Sequence, residues 1–84
     1  GKAFVNIDST SIQIKTGAFD KEQKVYWEEI DSMHYRPDVF LVAKEDSSEC
    51  KLKLKNLEYS TVQEIKNVIN EIARTKNIPV NFNG

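Results

Sequence analysis

Apolar and polar positions alternate in short bursts along the first fifty-five residues. Val5 and Ile7 share one phase of "AFVNI", and Ile12 and Ile14 share one phase of "SIQIKT". Alternation of this kind marks strands with one buried face. The polar "DSTS" between them supplies hydrogen-bonding side chains for a turn, so the two runs form a hairpin. "KVYWEE" follows, with Val25 and Trp27 opposite Tyr26, and then "SMHYR", with Met33 and Tyr35 opposite His34 and Arg36. Pro37 ends that run, because proline cannot donate to a ladder and disfavours helix before it. "VFLVAK" is almost continuously apolar and predicts a strand buried on much of both sides. After "EDSSE", a polar hairpin loop, "CKLKLK" sends Cys50, Leu52 and Leu54 inward and Lys51, Lys53 and Lys55 outward.

The period then changes. In "STVQEIKNVINEIARTK" the residues Val62, Ile65, Val68, Ile69, Ile72 and Ala73 form one helical stripe. Ser60, with Gln63 three residues on, predicts a capping box, and Asn77 predicts the C-terminal stop. "IPVNF" returns to alternation and predicts a short tail strand. The pattern as a whole predicts an α+β fold of six short antiparallel strands closed off by one C-terminal amphipathic helix.

Composition narrows the functional classes. The chain has 84 residues, 39% apolar and 30% charged, with net charge −1 from 12 basic and 13 acidic side chains. This is one globular domain, 1–84, and its charge balance gives no general reason to bind nucleic acid. No apolar run approaches the ~20 residues of a membrane span. One cysteine precludes an internal disulfide, and one cysteine with one histidine are too few for a structural zinc. Three glycines, at positions 1, 17 and 84, cannot build a phosphate-cradling loop.

The stretch "KVYWEEIDSMHY" is the one place where chemistry could gather. Glu28 and Glu29 are neighbours, so on a strand they point to opposite faces and cannot flank one scissile bond. The expectation is a bend, with Trp27 and Ile30 in the core and both glutamates in water. His34 is expected to be solvated near Tyr26, and Cys50 to be a small buried apolar group, so no Cys–His pair forms. No catalytic, cofactor or metal site and no small-molecule substrate are expected.

The order "SIQIKTGAF…KVYWEEIDSMHY…DVFLVAKEDSSECKLKL…STVQEIKNVINEIA", from about Ile12 to Ala73, resembles the bacterial pleckstrin-homology-like domains. The resemblance implies a bent, barrel-like sheet plugged by the helix. It also implies a non-enzymatic interaction module, the soluble part of a longer, membrane-attached bacterial chain. The chain opens inside a strand pattern and without methionine, which fits that expectation. The module would then lie on the cytoplasmic side, with a free cytoplasmic module as the alternative. A partner protein, or a second copy, would be held through a sheet edge or through Phe19, Tyr26 and Phe40. The alternative function is binding of anionic lipid or phosphate groups by Lys51, Lys53 and Lys55. The basic residues that serve lipid binding in eukaryotic relatives do not carry over, since the first hairpin loop, "IDSTSI", has no Lys or Arg.

Overall fold

A computed structural model describes residues 2–83. The fold is α+β, with seven strands in two sheets and one helix among the described residues. Strands β1 (Phe4–Ile7), β2 (Ser11–Lys15) and β3 (Gln23–Tyr26) form an antiparallel sheet in the order β1-β2-β3. The second sheet contains β4 (Ile30–Arg36), β5 (Val39–Lys44), β6 (Glu49–Lys53) and β7 (Val80–Asn81), in the order β6-β5-β4-β7. Helix α1 (Tyr59–Thr75) lies between β6 and β7 in the chain. Both sheets and the helix contribute to one core. Ile12, Ile14 and Val25 come from the first sheet, Met33, Phe40, Val42 and Leu52 from the second, and Ile65, Ile69 and Ala73 from α1.

The sheets are open, which departs from the barrel-like sheet expected. The break lies at Trp27–Glu29, a single 3-10 turn between β3 and β4. It turns the chain from one sheet into the other, so β3 and β4 do not pair. The tail is a genuine strand: β7 lies parallel to β4, with Val80 opposite Met33 and Asn81 opposite His34. Ile78, Val80 and Phe82 all pack on the core, as their alternation predicts.

Several local expectations shift. Helix α1 begins one residue before Ser60, with Glu58 as N-cap and no side-chain cap. The first turn closes through the Val62 N–H to the Glu58 carbonyl, so the Ser60–Gln63 box is not formed. The C-terminal stop is where Asn77 predicts it. Asn77 takes a φ of 59°, its N–H bonds the Arg74 carbonyl, and the Ile78 N–H bonds the Ala73 carbonyl. This paired arrangement satisfies two carbonyls that a helix end leaves free. Strand β6 ends at Lys53, because the chain turns at Asn56 (φ 75°). Leu54 stays buried, whereas Lys55 sits in that turn and off the strand face.

Candidate interaction surfaces

Phe19 is fully exposed, at the tip of the β2–β3 connection. Its loop is tied by hydrogen bonds. The Thr16 hydroxyl donates to Asp20 Oδ2 at 2.8 Å, and the Asp20 N–H donates to the Gly17 carbonyl at 3.2 Å. A Cβ at position 17 would lie 2.8 Å from that same Asp20 oxygen, the free end of an exposed side chain, so a larger residue there would shift the Asp20 carboxylate and loosen this tie. An aromatic ring displayed on a tied loop offers apolar area to a partner.

Tyr26 is exposed too, with Lys24 Nζ 5.1 Å from its ring centre, within cation–π range. It lines a shallow depression with Trp27, Glu28, Lys76 and Ile78. Phe40 belongs to a different environment from the one expected of it. It is wholly buried, edge-on to Tyr35 at 5.1 Å and to Phe82 at 6.2 Å. In the run "VFLVAK" the alternate residues Phe40 and Val42 face the core, and Val39, Leu41 and Ala43 are half-buried on the outer face of the second sheet. Phe40 is therefore a core residue and no part of an interaction surface.

Lys51 and Lys53 are exposed on that outer face, opposite Leu41 and Val39. Lys55 is exposed in the following turn, so the three lysines do not form one stripe. Neither Lys51 nor Lys53 is in an ion pair among the described residues. Both line a depression shared with Asp20, Lys21, Glu22 and Cys50. Two carboxylates therefore dilute the positive field there.

His34 is not solvated beside Tyr26. Its register neighbours are Leu41 on one side and Asn81 on the other; the residue is half-buried, and its buried Nε2 has no hydrogen-bond partner among the described residues. Cys50 is half-buried and faces the opposite side of the sheet from Lys51. Burial raises its thiol above the ordinary value, which disfavours the nucleophilic thiolate. Of the glutamates, Glu28 is in water, while Glu29 is engaged. Glu29 Oε2 accepts the Tyr26 N–H at 3.0 Å, and Oε1 lies 3.5 Å from Lys44 Nζ. Its carboxylate thus fastens the turn that separates the two sheets. No group of three or more potential metal ligands occurs among the described residues. Within the same residues no helix is long and apolar enough to cross a membrane.

Two features that bear on binding are invisible to residue type. One is the β1 edge, where Val5 and Ile7 line a groove of about 240 Å3 with Thr61, Glu64, Ile65 and Val68 of α1. The other is the seam between β3 and β6. There the Gln23 side chain donates to the Lys53 carbonyl at 2.9 Å and accepts the Lys53 N–H at 2.6 Å. Neither follows from periodicity, because strand order decides which edges are left over.

The chain matches no family model, no curated protein and no solved structure.

Proposed function

We propose that this chain is a non-enzymatic interaction module of the pleckstrin-homology-like type, holding a protein partner through exposed aromatics or a sheet edge. The observation that carries the reading is Phe19. A tied loop keeps a phenylalanine in water, where its burial against a partner would contribute ~1.5–3 kcal/mol. Tyr26 supplies a second exposed ring. Two sheets sharing a core with one C-terminal helix are compatible with the pleckstrin-homology-like type, although both sheets are open. The sequence resemblance further supports a membrane-attached bacterial parent with the module on its cytoplasmic side. Reading the full-length gene and fractionating cells tests that placement.

The module reading is tested by placing a photo-crosslinking amino acid at position 19, 26 or, as a control, at the exposed helix position Asn67. A discrete crosslinked species from positions 19 and 26 but not from 67 is expected in cells carrying the parent gene. Equal, diffuse labelling from all three positions would sink the reading. A lipid or phosphate surface is the second reading, favoured by exposed, unpaired Lys51 and Lys53 beside the Phe19 loop. Sedimentation with anionic but not zwitterionic vesicles, lost at high salt and in Lys53→Glu, would establish it in place of the first.

A further inference from the structure

Two open sheets have four edges, and three of them are closed to a further strand. Edges β3 and β6 are bridged by the Gln23 amide, and β6 also carries Lys51 and Lys53. Lysines and side-chain plugs of this kind block pairing. Edge β7 is two residues long, and the chain beyond it turns back, with the Asn83 N–H donating to Asn81 Oδ1 at 2.8 Å. Edge β1 has none of these devices. Phe4, Val5, Asn6 and Ile7 include no charge and no proline, and their pairing with β2 has no bulge.

The backbone groups that β1 leaves free can be identified. The Asp8 N–H donates to the Ser11 carbonyl, so Asp8 faces β2. Residues alternate along an antiparallel ladder, which turns Asn6 and Phe4 towards β2 as well. The N–H and C=O groups of Val5 and Ile7 therefore point to the open side. The side chains of the same two residues line the groove beside α1.

We infer that the β1 edge pairs antiparallel with β1 of a second copy of this chain, about a two-fold axis at Val5. This deepens the interaction-module reading and rests on it. Two constraints select the register. Directly opposite residues in an antiparallel pair share a face, so the inward Val5 and Ile7 must meet inward residues. Centring on Val5 places Val5 opposite the partner's Val5 and, once pairing extends the strand past Phe4 through Ala3 and Lys2, Ala3 opposite the partner's Ile7. In this register Lys2 stands opposite the partner's Asp8, and by symmetry the reverse pair forms too. Sliding the axis to Asn6 keeps the faces but leaves Lys2 without an opposite charge. Asp8 has capacity for the contact. Its Oδ1 accepts the Thr10 and Ser11 N–H groups, and its Oδ2 accepts none among the described residues. The groove against Ile65 and Val68 then receives the partner's Val5, completing a six-stranded sheet from two three-stranded ones.

The test is sedimentation equilibrium from micromolar to millimolar chain, with amide exchange read by NMR on the same samples. Mass should rise from one chain to two, and the Val5 amide should become protected as it does. Val5→Pro removes an edge N–H without touching the β2 ladder, and should abolish the dimer. Since that change also trims packing, Lys2→Glu at an exposed position is the second variant. It turns two attractions into repulsions and should weaken the dimer roughly tenfold, with an unchanged circular-dichroism spectrum. A monomer throughout the range overturns the inference, as does a dimer indifferent to both substitutions. Crosslinking from position 19 decides the wider module reading separately, whichever result is obtained here.

Discussion

Trp27 joins three parts of the chain, and replacing it should show how much they depend on one another. Its ring is 2% exposed and belongs to the same core as Ile65 and Ile69 of α1. Its Nε1 donates to the Asp8 carbonyl at 2.8 Å, tying the β1–β2 turn to the bend between the sheets. Trp27→Phe keeps an aromatic ring but loses this bond and leaves a small void. The Asp8 carbonyl is at an exposed residue, where water replaces the donor, so the cost is about 1–2 kcal/mol. Trp27→Ala removes the packing as well and should cost about 3–5 kcal/mol. Against a total of about 5–15 kcal/mol for a domain, the alanine variant stands close to unfolding. Urea denaturation followed by far-UV circular dichroism measures both, since neither variant keeps the tryptophan signal. The m-value should be unchanged if both states keep their compactness. An alanine variant within about 1 kcal/mol of the parent would refute the reasoning. So would native wild-type fluorescence at the wavelength of a solvated indole.

Three further outcomes are expected. Asn77→Ala should cost about 1 kcal/mol in urea denaturation, because alanine pays for the left-handed conformation at φ 59°, whereas Asn77→Gly should cost nothing. Gln23→Glu cannot donate to the Lys53 carbonyl and should lower the thermal midpoint by several degrees, more at pH 7 than at pH 3, where its protonated form donates again. Asp8 and Asp46 are both held below the usual carboxylate value, Asp8 by the Ser11 and Thr10 N–H groups and Asp46 by the Ser48 hydroxyl and N–H. Their lowered values mean a contribution present above the unfolded carboxylate pKa and lost as pH falls through the folded one. Stability should therefore drop below about pH 4, and Asp8→Asn with Asp46→Asn should flatten that drop.

Elements whose burial follows from their own periodicity were legible in the sequence. Ile12 and Ile14 of β2 and Leu52 of β6 are buried as their alternation predicts, and Ile65, Ile69 and Ala73 of α1 as the helical stripe predicts. What needed partners was not. An unbroken apolar run such as "VFLVAK" does not show which phase faces inward. The pairing of Phe40 with Tyr35 decides it, and so moves Phe40 from candidate surface to core. Likewise Lys55 leaves the lysine face because Asn56 turns the chain, and His34 loses solvent because the tail strand lies beside it. Of the candidate surface, Phe19, Tyr26, Lys51 and Lys53 were readable as exposed because each sits in a loop or on the polar phase of a strand. The open β1 edge and the Gln23 bridge were not, since both arise from strand order.

The parallel pairing of β7 with β4 sets a sequence of events. Met33 and Val80 come together across the whole of β5, β6 and α1, and the Met33 N–H completes the junction by donating to the Pro79 carbonyl. Closing so long a stretch of chain is entropically costly until the intervening hairpin and helix have shortened it. The tail is therefore expected to dock last of the strands during folding and to detach first. Its detachment breaks only a two-residue ladder and the contacts of Val80 and Phe82, leaving the antiparallel strands paired. The Met33 amide would then exchange with solvent through this local opening, faster than the amides that join β4 to β5. A single backbone position would thus report how long the end of the chain stays seated.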